Sequence, residues 1–374
     1  MPATPVTLFL CGDVMTGRGI DQILAHPGDP QLYEAFVGSA RVYVDIAERA
    51  NGPIPRAVGP DYVWGDALAE LDRIRPAARI ANLETAITAS DTPWEGKGIN
   101  YRMHPANVAC LAAAKLDCCV LANNHVLDWD RQGLADTLAA LRDAGIRTAG
   151  AGADASAAAD PAVLETGGGS RVLVFACATA DSGVPRDWAA RAGCPGVNLL
   201  EDLGERSADA IARRIRAFAR DGDLVVVSVH WGGNWGYRVG SEQRAFAHRL
   251  VDSGVVHAVH GHSSHHPRPL EVYRDRPILY GCGDLLNDYE GIGGHEAYRP
   301  ELALMYFPSF DAASGRLLRI ALAPVRMRRF RLERAAPQDV RWLQDTLNRE
   351  GKDFGTRVER DAGGELLVSW ERSR

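Results

Sequence analysis

Lysine is almost missing from this chain. Only Lys97, Lys115 and Lys352 occur among 374 residues, so arginine carries nearly all of the positive charge. No long basic run exists and the formal net charge is −6, which speaks against a nucleic-acid partner, whose phosphates demand a concentrated basic surface. No stretch approaches the roughly 18 uninterrupted apolar residues that a membrane-spanning helix needs. The first apolar run, Val6 to Cys11, lacks a basic leader, is short for the core of a signal peptide and leads straight into Gly12 and Asp13. No N-terminal anchor is therefore expected. The seven cysteines are odd in number, include no CxxC pair and sit mostly in apolar runs. This excludes a disulfide framework or zinc knuckle and fits free thiols in a cytoplasmic protein. No repeat or low-complexity linker divides the chain. With 46% hydrophobic and 24% charged residues it has material for a large core, and 1–374 reads as one domain.

What is present is an alternation of apolar runs and helical periodicities. Strands are predicted at Val6–Cys11, Ala78–Ala81, Cys118–Leu121, Arg171–Ala176, Leu224–Val229, Val255–Val259 and Pro277–Tyr280. Helices are predicted over Ala67–Arg75, Asn107–Lys115, Gly133–Ala144, Ser207–Arg220 and Glu242–Ser253. The order implies an α/β architecture with ligands at the C-terminal ends of strands. From Leu302 the texture changes. Leu302–Phe307 and Leu317–Ala323 flank Ser314-Gly315 as a hairpin, continued by Met327–Leu332, with a helix over Asp339–Glu350 and a last strand over Glu365–Trp370. Residues 38–60 read as an irregular insertion near the entrance of a site.

Four strand ends carry polar clusters: Cys11-Gly12-Asp13, Ala122-Asn123-Asn124-His125, Ser228-Val229-His230-Trp231 and the hexapeptide His260–His265, HGHSSH. Gly261 is read as a tight turn that releases His262 and His265 into one loop, where two imidazoles suit a divalent transition metal. Each cluster has a plainer reading. Asp13 can be a turn residue, and His125 or His230 a satisfied buried ring. His257 and His260 alternate along a strand and read as structural, and His266 as facing solvent. Arg18 either holds a substrate anion or makes a surface pair. Gly281-Cys282-Gly283-Asp284 reads as a tight turn rather than a phosphate loop. Asn287 to Glu290 form a polar wall or a solvated loop.

Several longer stretches together carry a resemblance: GDVMTGR (12–18), ANLETAIT (81–88), LANNHVLDW (121–129), GLADTLAALRDAGIRTAGAG (133–152), VVVSVHWGGNW (225–235), AFAHRLVDSGVVHAVHGHSSHHPRPLEVY (245–273) and ILYGCGDLLND (278–288). Over about residues 6–290 the chain resembles bacterial capsule-synthesis proteins of the CapA type, a group linked to poly-γ-glutamate and similar in fold to calcineurin-like metallophosphatases. The resemblance implies a four-layer α/β/β/α sandwich, with a divalent transition metal (Mn, Fe or Zn, one or two ions) at the sheet edges. It implies Asp13, Glu84, Asn124, His230, His262 and His265 as ligands and His125 as the acid or base. Asp128, three residues on, would orient the His125 ring. Arg18, Asn82, Asn123 and Trp231 are the substrate contacts it suggests, Asn82 doubling as a substitute for Glu84. Three departures from the metallophosphatase pattern stand out: Asp13-Val14-Met15 for Asp-x-His, Asn82-Leu83-Glu84 for Gly-Asp-x-x-Asp, and His-x-x-His for His-x-His. Met15 in place of a histidine removes a ligand and argues for a single ion. The implied activity is a hydrolase or transferase acting on a phosphoester, amide or polyglutamate-like substrate, small or peptide-like. A dehydratase or cyclase using the same groups is the alternative, and a non-catalytic capsule assembly factor the third. Oligomeric state is not legible.

Overall fold

In the computed structural model, which describes residues 5–167, 170–361 and 365–371, two large sheets carry the fold. The N-terminal apolar run becomes β1 (Val6–Val14), buried throughout except at Thr7. The chain then forms helices α1 (Arg41–Asn51) and α2 (Asp66–Ile74) and enters β2 (Ala78–Leu83). After it come β3 (Cys118–Val120), α3 (Asp130–Asp143) and β4 (Arg147–Ala149). These four strands pair in parallel in the order β1-β2-β3-β4. Covered on both faces, β1 to β3 read as continuous rather than alternating apolar runs.

The second sheet begins with the antiparallel edge β5 (Ala162–Glu165) beside β6 (Arg171–Ala178). It continues through α4 (Glu205–Phe218), β7 (Leu224–His230), α5 (Ser241–Asp252), β8 (Ala258–His262), β9 (Leu270–Tyr273) and β10 (Arg276–Leu279). Strands β6, β7, β8 and β10 run parallel. Alternate residues divide their sides. Val172, Val174, Val226 and Ala258 join the core that also holds Leu8, Leu10 and Ile80 of the first sheet. Leu173, Phe175, Val225 and Val227 pack instead with Ala208, Ile215, Phe246 and Leu250 of α4 and α5.

The chain then crosses back. Cys282 N–H donates to Gly261 O at 2.9 Å, and Asp13 N–H donates to Gly283 O at 3.0 Å, so one short segment is hydrogen-bonded to both sheets. It becomes β11 (Asp284–Leu286), parallel to β1. On the same edge of β1, away from β2, an antiparallel hairpin, β12 (Leu302–Phe310) and β13 (Leu317–Arg328), completes the ten-stranded sheet with β14 (Arg331–Arg334), β15 (Thr356–Arg360) and β16 (Leu366–Trp370), while α6 (Pro337–Glu350) precedes the last two strands. Among the described residues no helix is long and apolar enough to cross a membrane, and all seven cysteines are free.

Four expectations change. Residues 38–60 are not wholly irregular: α1 occupies nearly half of the stretch and buries Tyr43, Val44 and Ala47 at helical spacing. The run Asn107–Lys115 starts as a 3₁₀ turn, and its α-helix covers only Ala109–Ala113. Met327–Leu332 is not one strand, because Arg329 and Phe330 both take positive φ (55° and 54°) and reverse the chain between β13 and β14. Gly261 lies inside β8 rather than in a turn. A Cβ there would meet Leu279 O at 2.5 Å, Trp231 Nε1 at 2.7 Å and Tyr280 O at 2.8 Å, so close packing requires the glycine.

Candidate metal centre

The strand ends meet around Asp13. A register shift in β1 falls between Cys11 and Asp13, and the aspartate is fully buried. Gly12 permits it, since a Cβ there would lie 1.9 Å from Gly283 O. Asn82 Nδ2 donates to Asp13 Oδ1 at 2.7 Å and to Glu84 Oε2 at 3.1 Å. Asn123 Nδ2 donates in turn to Asn82 Oδ1 at 3.0 Å and to Leu83 O at 2.8 Å. Both amides are fully buried. They orient the carboxylates, so the substrate-contact reading of Asn82 and Asn123 is corrected. Asp13 Oδ2, also buried, has no hydrogen-bond partner among the described residues.

Lateral register places the imidazoles. His230 and His262 are opposite each other on β7 and β8, their Nδ1 atoms 2.8 Å apart. His230 Nε2 is 3.0 Å from Asn124 Oδ1, and His262 Nδ1 is 3.9 Å from Asp13 Oδ1. Asp13, His230 and His262 form one group of converging ligand atoms, all within 4.8 Å of one another. Asp13, His265 and Asp284 form a second. The expectation that three imidazoles share one group is therefore corrected: His265 Nδ1 sits 2.8 Å from Asp284 Oδ1 instead. Asp284 was read as part of a tight turn. Its signal was available, because Cys282-Gly283-Asp284 repeats Cys11-Gly12-Asp13. Met15 Sδ faces the Tyr289 hydroxyl at 3.7 Å.

Charge is concentrated here in buried side chains. Burial and then the Asp284 carboxylate push Asp13 up to about 7. Burial, then Asp13 and Asp284, hold Glu84 well above the usual carboxylate range. Burial drives His230 and His262 well below the ordinary imidazole value. His265 moves the other way: burial lowers it, but the carboxylates of Asp284 and then Asp13 together outweigh burial and raise it. Adjacent carboxylates forced toward protonation beside bare imidazoles are the environment a divalent cation relieves. The donor set of carboxylate, amide and imidazole suits Mn, Fe or Zn.

Next to this cluster stands His125. Its Nδ1 is 2.6 Å from Asp128 Oδ2, and its Nε2 points toward Glu84 Oε1 at 3.8 Å. Asp128 is fixed by Tyr101 N–H, which donates at 2.7 Å, and by Lys97 Nζ at 3.0 Å from its other oxygen. Burial lowers His125 to about 4 against the opposing pull of Asp128. Lys97 went unread in the sequence, although it is one of only three lysines. The Tyr101 ring meets His125 edge-on, centroids 4.5 Å apart.

Two further substrate contacts are corrected. Arg18 is buried between Asp288 (3.1 and 2.5 Å) and Glu34 (2.9 Å), with its guanidinium over the rings of Tyr43 and Tyr101. Two carboxylates already neutralise it, so neither a free anion anchor nor a surface pair describes it. Trp231 is fully buried, donates from Nε1 to Tyr280 O at 2.9 Å and stacks on Tyr280. It faces the helix side of its sheet, away from the ligands. His266, expected at the surface, is buried against Tyr298 and Tyr237. The 287–290 stretch is not a solvated loop either: Asp288 holds Arg18, and Glu290 accepts from Arg329 and Phe330 N–H.

A mixed α/β chain that gathers carboxylates, an amide and imidazoles at its strand ends defines the class: a candidate metal centre on a two-sheet scaffold. The chain belongs to the bacterial capsule synthesis protein family PGA_cap, whose model matches residues 7–289. It is 51% identical over 354 residues to a probable polyglutamine synthesis accessory protein of Mycobacterium tuberculosis, covering 94% of this chain and 93% of that one. It is 26% identical over 278 residues to the PGA biosynthesis protein CapA of Bacillus subtilis, covering 74% and 62%. It is 24% identical over 286 residues to the capsule biosynthesis protein CapA of Bacillus anthracis, covering 76% and 60%.

Proposed function

We propose that this chain is a metal-dependent hydrolase or transferase, its two sheets forming an α/β/β/α sandwich, and that its substrate is a peptide-like polymer of the polyglutamate type. One observation carries the metal reading: buried Asp13, with one oxygen unpartnered, belongs to both groups of converging ligand atoms. Asp13, Asn124, His230 and His262 would hold one ion, and Asp13, His265 and Asp284 a second, with Glu84 beside both. When bound, Mn, Fe or Zn supplies Lewis acidity toward a carbonyl or phosphoryl oxygen and makes water a stronger nucleophile at neutral pH. The substrate class draws on the relatives' names. The free thiols suit a cytoplasmic setting.

The chain's own residues supply the proton transfer. Asp128 accepts from His125 Nδ1–H and leaves Nε2 with its lone pair. Burial keeps that ring neutral, so Nε2 can take a proton from an attacking group and return it to a leaving amine or alcohol. Lys97 holds Asp128 in place and balances its charge. Metal analysis of purified protein before and after chelation tests the reading, combined with assays on γ-glutamyl oligomers, simple amides and phosphodiesters. One or two ions per chain and metal-dependent cleavage or transfer are expected. A chain that retains no Mn, Fe or Zn would overturn it, and metal-dependent elimination in place of cleavage would favour the dehydratase or cyclase.

A further inference from the structure

Residues on one face of β7 and β8 form a square. The two-residue period of a strand puts Ser228 beside His230 and His260 beside His262, and the register sets Ser228 opposite His260 and His230 opposite His262. His260 Nε2 lies 2.8 Å from the main-chain oxygen of Cys11, on β1. A carbonyl only accepts, so this nitrogen carries the hydrogen. The ring is fully buried, which favours the neutral form, and its Nδ1 therefore holds a lone pair. Ser228 Oγ is 3.1 Å from that Nδ1 and 2.8 Å from His262 Nε2. Ser228 has one hydrogen to give. His260 Nδ1 has none, so the hydroxyl donates to His260 and accepts from His262 Nε2–H. The neutral His262 ring is left with a bare Nδ1, the atom that faces His230 Nδ1 and Asp13 Oδ1.

We infer that Ser228 and His260 are positioning residues: a relay from Cys11 O through His260 and Ser228 fixes His262 as the Nε2–H tautomer and aims its Nδ1 lone pair at the centre. The relay starts two residues before Asp13 on the same strand, so the orientation of the imidazole and the place of the carboxylate share one support. The link from tautomer to metal affinity rests on the metal reading above; the tautomer does not. Partners of this kind typically change metal affinity by about 10–100-fold when removed.

The test uses full-length protein stripped of metal, with nitrogen-15 NMR of the histidine rings. The His262 signals are assigned by their loss in His262→Asn. Zn²⁺ affinity is then measured by competition with a chromophoric chelator. Wild type should show His262 protonated at Nε2. Ser228→Ala should abolish that preference and weaken Zn²⁺ by roughly 10–100-fold, and Ser228→Thr, which keeps the hydroxyl on a strand-compatible side chain, should restore both. A His262 ring protonated at Nδ1 in wild type would overturn the relay, as would a Ser228→Ala protein with wild-type tautomer and wild-type Zn²⁺ affinity. If Ser228→Ala does not fold, the wild-type spectrum still decides the tautomer. An Nε2–H tautomer in a wild type that binds no Zn²⁺ supports the relay and sinks the metal reading.

Discussion

Asp13 and Asp284 stand opposite each other across the parallel pairing of β1 and β11, each closing a Cys-Gly-Asp tripeptide. Each glycine lets a main chain approach that a side chain would block: Gly283 O lies against Gly12, and Pro267 against Gly283. Two carboxylates are thereby forced together in a buried site, where a proton or a cation must separate their charges.

Asp284→Asn should therefore reduce metal content more than it reduces folding. It removes a ligand atom and the partner of His265 while lowering the repulsion on Asp13. The expected outcome is loss of the ion shared by Asp13, His265 and Asp284, with the thermal midpoint of the chelated protein unchanged or higher. Elemental analysis and thermal melts of the chelated protein check both halves.

His125→Ala should lower kcat by roughly 10²–10⁴ with metal content intact. Asp128→Asn should cost less, because it removes the group that orients the ring but leaves the ring in place. His262→Ala should lose metal and activity together. Full activity of His125→Ala on the true substrate would leave that residue structural.

Acid should destabilise the chelated protein as pH falls from about 6.5 to about 4. Burial holds His125, His257, His260 and His266 at about 4 when folded, against an ordinary value of about 6.5. Below the latter the unfolded chain binds more protons, so their contribution is present at pH 7 and lost on acidification. Asp13, raised to about 7, works in the opposite direction, since its stability is present at low pH and lost as pH rises. Glu84 and His265, raised too, side with Asp13, while His230 and His262, held well below the ordinary value, side with the other four rings; six lowered imidazoles outweigh these three raised groups at about 1.4 kcal/mol per pKa unit. Denaturant titrations at pH 7.5, 5.5 and 4.5 should give falling stability, and a rise would contradict the assignment of these rings as buried and neutral.

Arg18→Met should destabilise by about 3–5 kcal/mol, because Asp288 and Glu34 would be left as uncompensated buried charges. A KM unchanged from wild type in the fraction that folds would agree with a structural role. A large rise in KM with normal stability would restore the substrate-anchor reading.

Much of the frame was legible because strands covered on both faces need unbroken apolar runs. Leu224 to Val229 and Cys118 to Val120 could hardly be anything else. The same property hid the direction of Trp231: in a doubly covered strand both faces are apolar, so alternation gives no polarity to read. Asn82 and Asn123 looked like substrate contacts because local sequence does not show that their partners are each other and two carboxylates. Arg18 and Asp288 are 270 positions apart, and Asp13 and Asp284 are 271. Only the return of the chain to the first sheet joins them. The resemblance supplied Asp13, His125, His230 and His262 as candidates. It did not supply Asp284 or Lys97, because neither belongs to the pattern carried over.

The crossing at Cys282 and Gly283 has a consequence for how this site can change. Main-chain atoms of that segment are bonded to Gly261 on one sheet and to Asp13 on the other, so the gap between the strand ends is set by backbone geometry. Side chains in the gap hang from a frame whose dimensions none of them determines. Side chains there, buried Met15 among them, can be exchanged while the frame stays still. Met15→His is then a change of chemistry on a fixed mount, and the metal it recruits or loses reports on ligand identity alone.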